Sequence, residues 1–129
     1  MATSRSPKAR VLVVDDEEDV RTMLRDILQQ VGYAVVEAGS GLEALQRYRA
    51  APTDVVILDL LMPGQTGLGA IQELRRHDPA VKIIAISGGG TSGAIDLLPL
   101  AESYGARRTL HKPFPMEALI GAVAAVLRE

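Results

Sequence analysis

Residues 54–64 read DVVILDLLMPG, and this stretch decides the fold that the rest of the chain is expected to adopt. Its four consecutive aliphatic residues, 55–58, are mostly β-branched and predict a strand buried on both faces of a parallel sheet. Asp59 follows directly, and the Pro63-Gly64 pair marks a turn shortly afterwards. The pattern therefore puts a carboxylate where a central strand leaves the sheet, at the edge where open α/β sheets bind ligands.

The composition limits what this strand can belong to. A chain of 129 residues fits one domain, and with 3% aromatic residues its core must be aliphatic. The net charge of −2 argues against direct binding to nucleic acid, and the lack of cysteine excludes disulfides and thiolate chemistry. The apolar run VLVV at residues 11–14 is too short for a signal peptide or a membrane span, so we expect a cytoplasmic protein with no membrane contact.

Strand and helix patterns alternate along the chain. We expect residues 1–8 to be a disordered lead-in and residues 9–129 to form one domain. A helical pattern follows each strand, the clearest start being the capping box at Ser40–Glu43. This alternation predicts an α/β fold, a doubly wound (βα)5 unit with a five-stranded parallel sheet and helices on both faces. The predicted strands are residues 10–14, 33–38, 55–58, 81–86 and 106–110.

Four of the five predicted strands end in a polar or charged group: Asp15 with Asp16, then Asp59, Ser87 and Lys112. Because the carboxyl ends of parallel strands share one edge of the sheet, we expect these groups to meet. Three carboxylates about 5 Å apart repel by roughly 3 kcal/mol per pair at an effective dielectric near 20, which a cation must offset. An all-oxygen ligand set with room for water suits Mg²⁺ rather than zinc.

The same groups are suited to phosphoryl transfer. A carboxylate beside Mg²⁺ can attack a phosphoryl group and become an aspartyl phosphate, and it needs no general base because it is already ionised. The transferring group spreads its charge over three equatorial oxygens. Mg²⁺, the Ser87 hydroxyl and the Lys112 ammonium can each stabilise one of them.

Four segments carry a resemblance to a known family: VLVVDDEEDV at 11–20, VVILDLLMPGQTG at 55–67, IIAISGGG at 83–90 and HKPFP at 111–115. Together they resemble the receiver domain of a two-component response regulator, which has a flavodoxin-like or CheY-like fold. The resemblance implies a module of phosphorelay signalling that accepts a phosphoryl group from a histidine kinase or a histidine phosphotransfer protein. It also implies a protein that catalyses only its own phosphorylation and dephosphorylation, and is not otherwise an enzyme.

Position by position, the resemblance assigns roles to the acidic residues. It makes Asp59 the phosphoacceptor and a metal ligand, and Asp16 a direct Mg²⁺ ligand. Asp15 would hold metal-bound water, and the main-chain carbonyl of Leu61 would supply another metal ligand.

The resemblance makes Ser87 the switch hydroxyl and Lys112 the contact to the phosphoryl group, with Lys112-Pro113 similar to a pair that receivers hold in cis. Two features depart from the family pattern. Thr109 stands where receivers carry an aromatic switch residue, and the segment after Ser87 is a few residues longer than usual, with glycines at 88–90. These glycines fit a flexible linker or a phosphate-responsive hinge equally well. We hypothesise that the signal passes through this loop to the face made by the fourth helix, fifth strand and fifth helix, a candidate homodimer surface.

Three alternatives are weighed against this interpretation. A haloacid-dehalogenase-type phosphatase needs an aspartate two residues after its nucleophile, where this chain has Leu61. A flavodoxin-like cofactor binder would carry a phosphate-binding loop after the first strand, where this chain has acids. A receiver-shaped scaffold that works without phosphorylation is disfavoured by the intact acid set. Because Leu61 and Gly89 offer no polar group to hold an attacking water, we expect slow dephosphorylation.

Overall fold

A five-stranded parallel sheet forms the centre of the protein. A computed structural model describes residues 8–62, 65–88 and 97–129, with only the main chain at 65 and 66, so nearly all of the predicted lead-in and most of the glycine run lie outside the described residues. The sheet order is β2-β1-β3-β4-β5, and every neighbouring pair is parallel. The predicted doubly wound flavodoxin-like fold is thereby confirmed. The strands are β1 (Arg10–Val14), β2 (Ala34–Ala38), β3 (Val55–Asp59), β4 (Ile83–Ser87) and β5 (Arg108–His111).

Five helices connect and follow these strands. The predicted capping box is present in one half, since Ser40 Oγ accepts a hydrogen bond from the Glu43 amide at 3.1 Å. The Glu43 Oε1 atom instead accepts from the Gly39 amide at 2.7 Å, one residue before the N-cap. Gly32 and Gly105 end their helices in the left-handed region. None of the described helices has both the length and the hydropathy needed to span a bilayer. The helices are α1 (Glu18–Val31), α2 (Gly41–Ala50), α3 (Gly67–His77), α4 (Leu98–Tyr104) and α5 (Met116–Leu127).

The core consists of two aliphatic layers, one on each face of the sheet. Alternate residues along β1, β3 and β4 point to opposite faces, so Val11 and Val13 join the layer under α1 and α5. Leu12 and Val14 join the layer under α2, α3 and α4. All five residues of β3 are buried, as expected of a central strand covered on both sides.

The last strand begins later than the sequence pattern predicts. β5 covers 108–111 rather than 106–110 because Gly105 closes α4 and the Ala106 amide bonds back to the Ala101 carbonyl at 2.9 Å. The chain therefore completes a helix-terminating turn before it joins the sheet. This shift places Lys112 directly after the strand.

Candidate functional site

Three carboxylates meet at the carboxyl edge of β1 and β3. One oxygen from each of Asp15, Asp16 and Asp59 lies within 4.8 Å of the other two. Asp15 and Asp59 are 2% and 5% exposed, whereas Asp16 faces solvent. The two strands are neighbours in register, so their ends coincide. The predicted convergence of the acids is thus present, with one of the three open to water.

Main-chain amides orient the two buried carboxylates. Asp15 Oδ1 accepts a hydrogen bond from the Glu17 amide, and Asp59 Oδ1 accepts one from the Leu61 amide, both at 2.9 Å. In each case the amide belongs to the second residue after the acid, which is the geometry of an Asx turn. The other oxygen of each carboxylate therefore remains available for a cation.

Lys112 supplies a cation at this position. Its Nζ lies 3.3 Å from Asp59 Oδ2 and 3.6 Å from Asp15 Oδ2. The Lys112 amide donates to the Ser87 carbonyl at 2.8 Å, which ties the end of β5 to the end of β4. The peptide bond between Lys112 and Pro113 is cis, as the sequence predicts. The Lys112 ammonium thus meets the carboxylates at this edge of the sheet, as the sequence pattern predicts.

Burial and charge shift the pKa values of two of these groups. Burial raises the pKa of Asp15, and the neighbouring Asp59 raises it further against the opposing effects of the Glu17 amide and Lys112. Burial favours a lower pKa for Lys112, but attraction by Asp59 and Asp15 outweighs it and raises the pKa above its ordinary value. Lys112 is therefore a cation at neutral pH, while Asp15 carries its negative charge at a cost.

The cluster fits a hard divalent cation. Three carboxylates face one ammonium, so negative charge remains unbalanced, and the raised pKa of Asp15 reflects the cost of holding that charge in a buried place. The donor atoms are all oxygens, and the exposure of Asp16 leaves space for bound water. An oxygen-rich, partly hydrated site of this kind is typical of Mg²⁺.

Ser87 lies at the buried end of β4. Its side chain is fully buried, and the neighbouring Ile86 carbonyl accepts a hydrogen bond from the Leu60 amide at 2.8 Å, so the ends of β3 and β4 are joined beside Asp59. This position is compatible with the predicted switch hydroxyl. Thr109 is half-buried on β5 opposite Ala85, and the chain has no aromatic ring at this point of the strand.

Gly67 has a structural role at this site that was not predicted from the sequence. A Cβ at this position would lie 2.8 Å from both the Asp59 carbonyl oxygen and the Leu60 Cα. The Gly67 amide donates to the Leu60 carbonyl at 2.9 Å, which closes a loop whose ends also pair at 61–62 and 65–66. Only a residue without a side chain lets α3 begin this close to the end of β3. The sequence feature that could have predicted this role is the glycine at the end of the segment 55–67.

His77 and His111 do not join the site. Both side chains are exposed, and neither belongs to the acidic cluster. The ring of His77 instead packs edge-on against Tyr48, with 6.2 Å between ring centroids.

Comparison with known proteins agrees with this arrangement. The chain is 37% identical over 118 residues to the chemotaxis protein CheY of Thermotoga maritima, covering 91% of this chain and 96% of CheY. It is 39% identical over 121 residues to the probable transcriptional regulator ycf27 of Guillardia theta, covering 94% of this chain but 46% of ycf27. It is also 34% identical over 116 residues to the autoinducer sensor kinase/phosphatase CqsS of Vibrio cholerae, covering 90% of this chain and 17% of CqsS.

Solved structures show the same fold. The response regulator protein TrrA from Thermotoga maritima, crystallised with Mg²⁺ and BeF, has a TM-score of 0.82 and 33% identity, covering 92% of this chain and 98% of TrrA. The model of the family described as the response regulator receiver domain matches residues 11–124 of this chain. With its five-stranded sheet and its cluster of Asp15, Asp16 and Asp59, the chain belongs to the receiver domains of two-component response regulators.

Proposed function

We propose that Asp59 is the phosphoacceptor of this receiver domain and that Mg²⁺ supports its phosphorylation. The observation that carries the proposal is the position of Asp59 Oδ2, which lies at the buried end of the central strand, 3.3 Å from Lys112 Nζ. Its second oxygen is held by the Leu61 amide. A carboxylate oriented in this way presents one oxygen to an incoming phosphoryl group.

The chemistry requires one nucleophile and several charged or polar partners. Asp59 Oδ2 attacks phosphorus, a new O–P bond forms, and the P–N bond to a donor phosphohistidine breaks with its electron pair returning to the imidazole. The Lys112 ammonium and the Ser87 hydroxyl stabilise phosphoryl oxygens during this transfer. Hydrolysis reverses the modification, so the chain acts on itself and turns over no separate substrate.

The residues that would hold the metal are Asp15, Asp16, Asp59 and the main-chain carbonyl of Leu61. Asp16 would bind directly, and Asp15 would hold metal-bound water. When bound, Mg²⁺ supplies positive charge that offsets both the clustered carboxylates and the phosphoryl oxygens. The Mg²⁺-containing crystal of TrrA, a structural neighbour with 33% identity, supports this choice of metal.

The donor we propose is a histidine kinase or a histidine phosphotransfer protein. Receiver domains pair with sensor histidine kinases, and the similarity to part of the sensor kinase/phosphatase CqsS supports such a donor here. We further propose a homodimer through the face of α4, β5 and α5. The cytoplasmic location and the lack of direct binding to nucleic acid stay predictions from the sequence.

The test is phosphorylation by acetyl phosphate, with and without Mg²⁺, followed by intact mass measurement. We expect a Mg²⁺-dependent gain of about 80 Da, one phosphoryl group, that is absent from the Asp59→Asn variant. Absence of the adduct in folded, Mg²⁺-supplied protein would contradict the proposal and favour a phosphorylation-independent scaffold, for which Thr109 in place of the switch aromatic would be a second sign.

A further inference from the structure

Arg21 links the acidic edge of the sheet to β2. Its Nη1 donates to the Asp15 carbonyl oxygen at 2.7 Å, while its Nε lies 3.1 Å from Glu37 Oε1. The second oxygen of Glu37 accepts from Arg25 Nη1 at 3.0 Å. The Arg21 side chain is only 18% exposed, and a Cβ on Gly39 would lie 3.3 Å from its Nη1. The guanidinium is therefore held by Glu37 as well as by the Asp15 carbonyl, in the limited space beside Gly39.

The contact with Asp15 acts on the peptide that joins the first two acids. The Asp15 amide donates to the Ala38 carbonyl at 3.1 Å, and its side chain is held by the Glu17 amide at 2.9 Å. The carbonyl is the remaining polar group of this residue, and Arg21 holds it. Because the peptide is planar, fixing this oxygen also fixes the direction in which Asp16 begins.

Asp16 has little else to orient it. Its side chain is exposed and has no hydrogen-bond or ion-pair partner among the residues that the structure describes. The position of its carboxylate therefore depends on the backbone that carries it. Outer-shell contacts orient metal ligands. For Asp16 these contacts act on its backbone, through the hydrogen bond from Arg21 to the Asp15 carbonyl and the hydrogen bond from the Glu17 amide to Asp15 Oδ1.

We propose that Arg21 is a positioning residue for the metal site, which fixes the Asp15–Asp16 peptide so that the Asp16 carboxylate faces Asp15 and Asp59. This inference rests on the proposed function, because it takes Asp16 to be a Mg²⁺ ligand. Arg21 needs no contact with the metal or the phosphoryl group. Its guanidinium suits the role because one planar group can bond to Glu37 and to the Asp15 carbonyl together.

Electrostatics and positioning predict opposite effects of removing Arg21. Loss of a nearby positive charge should tighten Mg²⁺ binding, since less repulsion acts on the cation. Loss of positioning should weaken it. Arg25 provides a matched control because it lies on the same helix and bonds to the same Glu37, but has no contact with Asp15 in the described structure.

The experiment is calorimetric titration of the full chain with Mg²⁺ alone at constant ionic strength. It compares the wild type with Arg21→Met, Arg21→Lys and Arg25→Met, and methionine retains the apolar stem of arginine. We expect Arg21→Met to raise the Kd about tenfold and Arg25→Met to change it less than about twofold. The Kd of Arg21→Lys should lie between those of the wild type and Arg21→Met, because an ammonium can reach the Asp15 carbonyl but cannot bond to it and to Glu37 in one plane.

A second readout separates positioning from general damage to the fold. Thermal unfolding in EDTA reports the stability of each variant without metal, and phosphorylation by acetyl phosphate is followed as Mg²⁺ is raised. We expect the Arg21→Met rate to approach that of the wild type at saturating Mg²⁺. If Arg21→Met does not fold, Arg21→Lys carries the same comparison.

Equal Mg²⁺ affinity in Arg21→Met and the wild type would overturn the inference, as would equal weakening in Arg21→Met and Arg25→Met. Such results would leave the proposed function intact, since the wild type would still bind Mg²⁺ and become phosphorylated. A wild type that binds no Mg²⁺ would instead overturn the metal-dependent function, and the role of Arg21 with it.

Discussion

At the buried end of β3, one carboxylate oxygen of Asp59 contacts a main-chain amide and the other contacts a lysine ammonium. Oδ1 accepts from the Leu61 amide at 2.9 Å, and Oδ2 faces Lys112 Nζ at 3.3 Å. The Leu61 side chain itself is 51% exposed beside this carboxylate. The main chain of Leu61 thus orients the Asp59 carboxylate, while its side chain faces the solvent.

The apolar side chain of Leu61 leads to a prediction for the lifetime of the phosphorylated protein. Leu61 can hold no water by hydrogen bonding, so we expect a phosphoryl half-life of minutes or longer. Leu61→Asn adds an amide that can hydrogen-bond to an attacking water but cannot take its proton. It should therefore speed the loss of the phosphoryl group by roughly tenfold, less than the hundredfold or more that a proton-transfer group typically supplies.

The measurement is loss of the phosphoryl adduct by mass spectrometry after the phosphodonor is removed. Leu42→Asn is the control, because Leu42 is also an exposed leucine, 62% accessible, but lies on α2. A half-life of seconds in the wild type would contradict the prediction.

At the scale of elements, the start of α3 is set against the end of β3 by a glycine. We expect Gly67→Ala to lower the free energy of unfolding by about 2 kcal/mol, because the added methyl group meets main-chain atoms that cannot move freely. Urea denaturation of the two proteins measures the difference.

Gly121 offers a matched control in α5. A Cβ there has no neighbour within 4 Å, so Gly121→Ala should leave stability unchanged or raise it by about 0.5–1 kcal/mol through the higher helix propensity of alanine. Equal effects of the two substitutions would show that space at Gly67 is not what requires a glycine.

A second link between elements joins α2 to the end of α3. The hydroxyl of Tyr48, a buried residue, donates to Asp78 Oδ2 at 2.7 Å, and Asp78 Oδ1 accepts from the Ala80 amide at 3.0 Å. Burial, together with the hydrogen bond to Asp78, raises the pKa of Tyr48. The hydrogen bond from Tyr48, with that from Ala80, lowers the pKa of Asp78.

These opposite shifts predict how the link depends on pH. The Asp78 contribution is present above its unfolded pKa of about 4 and is lost as the pH falls through the lower folded value. The Tyr48 contribution is present below its unfolded pKa of about 10 and is lost as the pH rises toward the higher folded value. Tyr48→Phe should therefore lower the free energy of unfolding by about 1 kcal/mol at neutral pH, and by less at acid and at alkaline pH.

Chemical denaturation of Tyr48→Phe and the wild type from acid to alkaline pH tests this link. Tyr33→Phe is the comparison, because Tyr33 is a half-buried tyrosine whose hydroxyl has no hydrogen-bond partner among the residues that the structure describes. A difference in the free energy of unfolding between the wild type and Tyr48→Phe that stays constant across the whole pH range would contradict the prediction.

At the scale of the whole molecule, the buried charge of Asp15 lowers the free energy of unfolding, and the packing of the rest of the fold offsets this loss. Burial and its neighbours raise the pKa of Asp15, so its charged form is disfavoured in the folded protein. We expect Asp15→Asn to raise the free energy of unfolding at neutral pH without metal, because the neutral amide replaces a buried charge that burial and Asp59 disfavour. Asparagine can still accept the hydrogen bond from the Glu17 amide.

Mg²⁺ should make the wild type more stable than Asp15→Asn. A ligand that binds the folded state alone raises stability with its concentration, by about 1.4 kcal/mol at roughly ten times its Kd. The wild type should gain more from Mg²⁺ than Asp15→Asn does, which thermal unfolding with Mg²⁺ or with EDTA will measure. A wild type that is as stable as the variant in EDTA, and gains no more from Mg²⁺, would be evidence against a strained metal site.

The sequence by itself determined the fold class and the residues that meet at the sheet edge. Alternating apolar patterns dictate which strands are buried, and parallel strands with right-handed crossovers bring their carboxyl ends to one side. Asp15, Asp59 and Lys112 follow directly from those strand ends. Their identity could therefore be predicted before any distance was known.

Only the tertiary structure decided the atomic contacts between one element and the next. The hydrogen bond from Arg21 to the Asp15 carbonyl depends on how α1 lies against β2, and the closeness of Gly67 to β3 depends on how the loop folds back. The start of β5 likewise depends on the turn after Gly105. Periodicity records which face of an element is buried, but not its rotation or the atoms that it meets, because packing sets those.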